Sequence, residues 1–246
     1  MRHIDLNADL GEGCGLDAAL MPWLSSANIA CGGHAGDADS MRETVALARR
    51  HGLTIGAHPS YPDRAGFGRQ PLAMPVSQLQ HSLESQLAAL QQIAAAQGAR
   101  VAYVKAHGAL YNAAMQDPEL AEVLLDASIR VLGAPGIMGL PGSLLLDRAA
   151  QRGLPVIREG FADRAYEQDG TLRSRHLPGA VLDDAEAIAQ AEAFVLHQQV
   201  RSFSGEWVTS RIDSLCLHGD NPAAVRLAQA IRLQLEGHGV GISSTV

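Results

Sequence analysis

The sequence predicts a soluble α/β barrel, in which parallel strands alternate with helices and the strand ends meet at one site. Short apolar runs alternate with long amphipathic ones along all 246 residues, which requires parallel strands joined by helical crossovers. Polar residues follow nearly every apolar run. They converge on one ligand only if the sheet closes into a barrel, because an open doubly wound sheet brings only the loops at its switch point to a ligand.

Composition supports one such domain over residues 1–246, since no linker or low-complexity tract interrupts the chain. Hydrophobic residues make up 47% of the sequence and aromatic residues only 4%. This predicts a core of Ala, Leu, Val and Ile, and it excludes a disordered or fibrous chain.

Charge and segment patterns exclude two classes of protein. The net charge of −7 argues against a nucleic-acid binder, which needs a basic face. No apolar run reaches the roughly 18 residues of a membrane span, and the first residues carry acids where a signal peptide needs an apolar stretch. We therefore expect the cytoplasm. Cys31 and Cys216 are expected to be buried thiols, because the odd set of three cysteines has no C-x-x-C spacing.

The elements follow in order. Seven apolar runs are predicted as buried strands, at 3–8, 27–31, 53–57, 101–105, 136–140, 155–158 and 212–217. Capping-box spacing places helix starts at Ser40 and Ser77. Those helices end near Gly52 and Gly98, and further helices are predicted at 117–132, 143–152, 183 to about 200, and 222–236.

The first strand carries a run of polar residues. Alternation places Asp5, Asn7 and Asp9 on one inward face, and Glu12 follows on a glycine-flanked turn. Buried polar groups must bind each other or a ligand. For Asp5 the alternative is a hydrogen-bonded plug at the barrel floor.

Two later strand ends carry histidines. His34 follows Gly32 and Gly33 on a glycine-rich loop, and Asp37 is placed to cap the next helix. His58 ends the third strand, where a ligand or general base belongs. The long loop after it contains Arg64 and Arg69, which either hold a carboxylate or phosphate or are solvated charges.

Lys105 and His107 share one face of the fourth strand end, and Lys105 is expected to meet an acid, since a buried lysine is rarely unpaired. Glu159, His218 and Asp220 follow the last strands. Asp163 and Arg164 are expected to pair on the surface.

Imidazoles and carboxylates at strand ends offer N and O ligands for a divalent metal. If a metal is present, its ligands are predicted to be His34, His58, His107 and Asp9. A metal-free acid/base site stays open as the alternative. Neither a Walker A sequence nor a dinucleotide-binding glycine motif occurs.

Six motifs in order resemble the LamB/YcsF family, whose characterised members are the A component of 5-oxoprolinase. They are DLNADLGEG at 5–13, NIACGGHAGD at 28–37, GAHPSYPDRAGFGR at 56–69, VKAHGALYN at 104–112, EGFADRAY at 159–166 and CLHGDNP at 216–222. Gly33 stands where the family usually has Phe, and Ala106 where it usually has Pro. Neither departure removes a polar group.

The resemblance implies a seven-stranded barrel related to glycoside hydrolases and polysaccharide deacetylases. It also implies the ATP-dependent hydrolysis of 5-oxo-L-proline to L-glutamate, with ATP and Mg as co-substrate and with partner subunits B and C. In our hypothesis the catalytic residues are Asp9, His34, His58, Lys105, His107 and Glu159. The substrate-binding residues are Asn7, Glu12, Gly32, Gly33, Arg64, Arg69, His218 and Asp220.

Within this hypothesis Lys105 and the backbone amides of Gly32 and Gly33 stabilise developing negative charge, and Arg64 or Arg69 holds the substrate carboxylate. Two alternatives differ in class: a metal-dependent deacetylase or amidohydrolase acting on a carbohydrate or lactam, and a non-catalytic substrate-binding protein. The sequence leaves the oligomeric state open, including a homo-oligomer.

Overall fold

The computed structural model describes residues 2–217 and 223–246. The strands of this part of the chain are β1 (Arg2–Leu10), β2 (Ser26–Ala30), β3 (Thr54–His58), β4 (Val101–Val104), β5 (Gly136–Gly139), β6 (Val156–Phe161), β7 (Gln199–Arg201), β8 (Trp207–Thr209), β9 (Ser214–Leu217) and β10 (Val240–Ile242). The helices are α1 (Asp17–Leu20), α2 (Ala38–Arg50), α3 (Val76–Ala96), α4 (Gly108–Ala114), α5 (Pro118–Leu132), α6 (Leu144–Gln151), α7 (Asp184–His197) and α8 (Ala224–Gly237), and a short 3-10 turn covers Met21–Trp23.

Seven parallel strands close into a barrel in the order β1, β2, β3, β4, β5, β6, β9, and β9 pairs back onto β1. Each of them overlaps one predicted strand, so the predicted barrel is confirmed. β10 runs beside the beginning of β1, and β7 and β8 form a separate antiparallel hairpin. Among the helices of the described residues, none combines the length and apolarity needed to cross a bilayer.

The strands are continuous apolar runs because both of their faces are covered. Every residue of β2, β4, β5 and β9 is buried, since helices pack on the outside and side chains from neighbouring strands fill the inside. The core consists mainly of Leu, Ala, Val and Ile, as the composition predicts.

Two helix starts differ from the predictions. Asp37 caps α2, as expected: its carboxylate accepts from the Asp39 and Ser40 amides at 3.0 and 2.9 Å, and the Ser40 hydroxyl accepts from the Asp37 amide at 2.8 Å. Ser40 is therefore the third residue of the helix, and the predicted start there is wrong. α3 begins at Val76 after Pro75, without a side-chain cap at Ser77.

Three other helix ends follow or revise the sequence patterns. α5 and α6 each begin one residue later than predicted, because Asp117 and Ser143 are their N-caps and not their first helical residues. α7 ends at His197, earlier than the predicted end near residue 200, because Gln198 adopts a left-handed conformation with φ of 56° and turns the chain into β7.

The segment between β6 and α7 folds over the rim of the barrel. Arg164 holds it together, because its Nε donates to the Ala180 carbonyl at 3.1 Å and its Nη2 to the Arg173 carbonyl at 2.6 Å. Asp163 and Arg164 are both buried. The prediction that they form a surface pair is therefore wrong.

Candidate active site at the carboxyl ends of the strands

A cavity of about 740 Å³ opens at the carboxyl ends of the barrel strands. Its inner wall includes Asp9, Glu12, His58, Lys105 and His107. These residues come from β1 and the turn after it, from β3 and from the segment after β4. The barrel topology thus brings together side chains that lie almost one hundred positions apart in the sequence.

The floor beneath this cavity is a layer of hydrogen-bonded polar side chains. Asp5 accepts hydrogen bonds from the hydroxyls of Ser25 at 2.6 Å, Ser26 at 2.7 Å and Ser214. Burial raises the pKa of Asp5 above its ordinary 3.8. Asn7 donates to Ser214 at 2.7 Å and is fully buried. The inward face predicted for the first strand is confirmed, and Asp5 forms the hydrogen-bonded plug that was the alternative interpretation.

Lys105 lies above this floor among acidic groups. Its Nζ is 2.9 Å from Asp9 Oδ1, 2.8 Å from Glu159 Oε1, 3.1 Å from Cys216 Sγ and 3.4 Å from Asn7 Oδ1. Burial opposes its charge, but the nearby acids outweigh burial and hold the pKa of Lys105 well above 10.5. The expectation that Lys105 meets an acid is confirmed. Lys105 is an ammonium cation and not a base.

Backbone carbonyls orient two imidazoles of the wall. His58 Nδ1 lies 2.8 Å from the Lys105 carbonyl oxygen, and His107 Nε2 lies 2.9 Å from the Phe67 carbonyl oxygen. A carbonyl only accepts, so each of these nitrogens carries the proton. The other two nitrogens, His58 Nε2 and His107 Nδ1, face one another at 3.0 Å. When both rings are neutral, these two nitrogens carry the lone pairs, and both lone pairs point into the space between the rings.

Glu12 lies at the centre of the histidines. Its Oε1 is 2.8 Å from His34 Nε2, 3.4 Å from His107 Nδ1 and 3.9 Å from His58 Nε2. The ligand-capable atoms of these four residues all lie within 4.8 Å of one another, which makes them a candidate metal site of His and Glu residues. The predicted ligand set contained Asp9 in place of Glu12.

Burial separates the three histidines in basicity. It lowers the pKa of His34 to about 3 and that of His107 to about 2, with the neighbouring His58 contributing in both cases. Burial also acts on His58, but the Asp9 carboxylate outweighs it and raises the pKa of His58. His34 and His107 are therefore neutral rings at physiological pH.

Two residues that sequence reasoning did not single out position Asp9. Asn28 donates to Asp9 Oδ1 at 2.8 Å and to Asn7 Oδ1 at 2.7 Å, and its own carbonyl oxygen accepts from the Tyr103 hydroxyl at 2.6 Å. Asn28 pairs with Asp9 in register across β1 and β2. Its place within the second motif, one strand over from Asp9, is the signal that could have identified it.

The glycine-rich loop has a structural role. The Gly32 amide donates to the Ala35 carbonyl at 2.8 Å, so it is not available to a developing oxyanion as predicted. Arg64 donates to the carbonyls of Gly32 at 3.2 Å and Gly36 at 2.5 Å. Arg64 ties this loop and does not line the cavity, which corrects its predicted contact with a substrate carboxylate.

Gly33 faces away from the cavity. A β-carbon at this position would lie 2.4 Å from Ser60 Oγ and 2.5 Å from Gln86 Oε1. Gln86 fills this space and bonds the backbone of Ser60 in both directions, at 3.0 and 2.9 Å. The predicted oxyanion role of the Gly33 amide stays a prediction, because the place of a β-carbon does not show where the amide points.

The remaining predicted residues divide into three groups. Arg69 lines the cavity, as do Arg164, Arg173, Arg175 and His176 at its rim. Asn7, His34 and Glu159 are buried behind the wall and support residues that line it. His218 and Asp220 lie outside the described residues.

The cysteines behave as the sequence predicts. Cys31 and Cys216 are buried free thiols, and burial raises the pKa of Cys31 to about 12 and that of Cys216 well above 9.0. Neither is poised as a thiolate nucleophile.

A sequence model of the LamB/YcsF family matches residues 4–246. The chain belongs to the LamB/YcsF family. This LamB/YcsF chain is similar to the solved structure of the lactam utilization protein from Thermus thermophilus, with 38% sequence identity and a TM-score of 0.92, and the match covers 98% of this chain and 99% of the other. The family predicted from the six motifs is thereby confirmed.

Two more distant structures share the barrel. A mutant of the peptidoglycan deacetylase PdaC from Bacillus subtilis has 11% identity and a TM-score of 0.51, with 99% of this chain and 88% of the other covered. A GH113 beta-1,4-mannanase has 12% identity and a TM-score of 0.52, with 95% and 99% covered. These likenesses confirm the predicted relation of the fold to deacetylase and glycosidase barrels.

Proposed function

We propose that this LamB/YcsF chain is the A component of an ATP-dependent 5-oxoprolinase, which hydrolyses 5-oxo-L-proline to L-glutamate together with partner subunits B and C. One observation carries the proposal. The Lys105 ammonium group, held 2.9 Å from Asp9, shares the inner cavity wall with the neutral His107 ring, whose Nδ1 carries a lone pair, and with His58, whose Nε2 lies 3.0 Å from that nitrogen. Amide hydrolysis needs both a fixed cation and a proton acceptor of this kind.

The two requirements fall on different residues. Lys105 lies where it can stabilise the negative charge of the phosphoryl group that the lactam oxygen carries when water adds to the ring carbon. Asp9 Oδ2 lies 3.3 Å from His58 Nε2, so a water beside the imidazoles has a carboxylate within reach to take its proton. Glu159, fully buried behind Lys105, fixes the position of the ammonium group.

ATP makes the uphill ring opening favourable in this proposal. Its terminal phosphoryl group transfers to the lactam oxygen, and the first water adds to the ring carbon that bears this oxygen. The carbon–nitrogen bond then breaks, the nitrogen takes a proton, and γ-glutamyl phosphate remains. A second water cleaves this acyl phosphate, which gives glutamate and phosphate alongside ADP.

The cationic side chains at the rim of the cavity favour an anionic substrate. Four arginines are among the residues that line the cavity, Arg69, Arg164, Arg173 and Arg175. Arg164 and Arg173 also bond within the rim segment, to backbone carbonyls and to Glu167. Guanidinium groups bind carboxylates and phosphates in a two-pronged fashion. The carboxylate of 5-oxoproline and the phosphates of ATP with Mg are the expected occupants. The description of the Thermus relative as a lactam utilization protein supports the same substrate class.

A metal-dependent amidohydrolase that needs no ATP is the second candidate, and the cluster of Glu12, His34, His58 and His107 favours it. A reconstitution experiment decides between the two. The purified chain is assayed alone and with its two partner subunits, with and without ATP, for glutamate and phosphate released from 5-oxoproline. Glutamate formed only with ATP and partners supports the oxoprolinase. Glutamate formed by the chain alone without ATP supports the amidohydrolase.

Substitution at Lys105 tests whether this chain performs the chemistry or only binds substrate. In the reconstituted enzyme Lys105→Met should lower kcat by about 100- to 1000-fold, as loss of a preorganised charge-stabilising group does. Arg232→Ala on the surface of α8 is the matched control and should leave kcat unchanged. A Lys105→Met enzyme with normal kcat and a raised KM would assign this chain to substrate binding alone.

A further inference from the structure

The three histidines of the site differ in how their outward nitrogens are bonded. The Nδ1 of His58 and the Nε2 of His107 each meet a backbone carbonyl oxygen, at 2.8 and 2.9 Å. The Nδ1 of His34 is buried and meets no hydrogen-bond partner among the described residues. Metal-ligating histidines almost always donate their second nitrogen to a carbonyl or carboxylate, which fixes the tautomer. Two of the three histidines satisfy this condition.

The distances among the inward atoms match a coordination shell. Zinc binds nitrogen and oxygen at about 2.0–2.2 Å, which places neighbouring ligand atoms of a tetrahedron roughly 3.4 Å apart. His58 Nε2, His107 Nδ1 and Glu12 Oε1 are separated by 3.0, 3.4 and 3.9 Å. An ion between these three atoms would meet both lone pairs and the carboxylate without movement of the backbone.

His34 stands outside this shell. Its ring is stacked on the ring of His107, with centroids 3.6 Å apart and planes 2° from parallel. Lone pairs lie in the plane of a ring, so two stacked rings cannot both aim at one ion. Coordination through Nε2 would also leave a buried Nδ1–H without an acceptor. His34 Nε2 instead donates to Glu12 Oε1 at 2.8 Å and orients that carboxylate.

The backbone at Phe67, beside the histidine cluster, is strained, and its carbonyl contacts His107. Phe67 has φ of 54°, a left-handed conformation that is uncommon for an aromatic residue. This conformation accompanies the contact of its carbonyl with His107 Nε2, and the Phe67 ring lies edge-on to both His34 and His107 at 5.2 and 5.3 Å. Strain of this kind persists at functional sites where a precise orientation is held.

The geometry points to a divalent metal site with three protein ligands, His58 Nε2, His107 Nδ1 and Glu12, in which His34 is a positioning residue and not a ligand. All three ligands line the cavity, so a further coordination position faces the substrate, as in catalytic zinc sites. Asp9 lies beside this position. The nitrogen and oxygen donors suit Zn²⁺ or another first-row divalent ion.

Binding of Zn²⁺ to the metal-stripped full chain tests this assignment, with stoichiometry and affinity measured by competition against a chromophoric chelator. We expect one Zn²⁺ per chain. His107→Asn and the isosteric Glu12→Gln should each weaken binding by at least about 100-fold, more than loss of an outer hydrogen bond costs. His34→Gln, which keeps a donor for Glu12, should weaken it by less than about 10-fold. His81→Gln, exposed on α3, is the matched control and should bind as the parent chain does.

Co²⁺ substitution supplies a second readout, because its visible absorption reports ligand number and type in any variant that stays folded. The parent and the His34→Gln chain should give the same spectrum, and His107→Asn should lose it. Absence of Zn²⁺ binding in the parent chain overturns the site. Equal losses for His34→Gln and His107→Asn overturn the ligand assignment.

Failure of the metal site and failure of the proposed function are separable. Metal-stripped chain that still releases glutamate with ATP and partners would remove the metal from the reaction and leave the oxoprolinase proposal standing. Stoichiometric Zn²⁺ in a chain that never releases glutamate would do the reverse.

Discussion

Removal of the Lys105 ammonium group should destabilise the whole fold, because Glu159 would be left charged in a fully buried position. Glu159 has no exposed surface, Lys105 is only 2% exposed, and the two charges are 2.8 Å apart. Breaking a buried ion pair by deleting one partner typically costs about 3–5 kcal/mol. For a chain of this size about 1 kcal/mol corresponds to roughly 2–4 °C. Lys105→Met should therefore lower the thermal midpoint by roughly 6–20 °C.

A double-mutant cycle isolates the pair from other effects. Glu159→Gln alone should cost about 1–3 kcal/mol, because Lys105 keeps Asp9 as a partner at 2.9 Å. The double variant should lose at least about 1 kcal/mol less unfolding free energy than the two single losses added together, because it leaves neither charge unpaired. Circular dichroism across a thermal ramp, with metal-free protein in every case, measures all four proteins.

The same series on a partly exposed pair, whose side chains are 26% and 41% accessible, provides the control. Arg232 and Glu236 form an i,i+4 ion pair at 2.9 Å on α8, and deleting Arg232 should cost about 0.5 kcal/mol or less. The reasoning fails if the Lys105 and Glu159 substitutions add to within about 0.5 kcal/mol, because residues in direct electrostatic contact should not behave independently.

Three further predictions concern residues around the site. Tyr103→Phe should cost about 1–3 kcal/mol in urea unfolding, because it strands the buried carbonyl of Asn28; an unchanged midpoint would contradict this. Arg69→Ala should raise KM in the reconstituted enzyme several-fold more than Arg64→Ala, since only Arg69 lines the cavity; equal effects would refute the distinction. Burial raises the pKa of Asp5, so its proton adds stability that is full below about pH 3.8 and is lost as pH rises through the folded pKa. The thermal midpoint of the parent chain minus that of Asp5→Asn should therefore fall from pH 4 to 7, and a constant difference would disprove this.

The strands could be predicted because a closed parallel barrel buries both faces of each strand, and burial leaves a direct mark on the sequence. The position of His58 at a strand end then follows, as does the shared face of Lys105 and His107. The helix starts were less secure. Asp37 and Ser40 both fit a cap, and only the backbone geometry shows that the Asp37 carboxylate accepts two amides.

Loop geometry limits what the sequence predicts. Arg64 and Arg69 lie five positions apart in one glycine-rich loop, yet one binds the backbone of another loop and the other faces the cavity. The left-handed Phe67 between them turns the chain, and a left-handed aromatic residue leaves no sequence signal. The β7–β8 hairpin is not predicted because its short strands lie outside the barrel sheet and are mostly not buried, so they carry no apolar run.

The identity of the cation at position 105 carries its own argument. The sequence contains 19 Lys and Arg residues, of which Lys105 is the single lysine and all the others are arginine. Four groups surround its Nζ within 3.4 Å, from Asp9, Glu159, Cys216 and Asn7. A compact ammonium group can donate to several of them at once. The guanidinium group of arginine is wider, and its donors are fixed in one plane. Lysine therefore occurs in this chain at the position where a compact positive charge is needed between buried acids and the cavity.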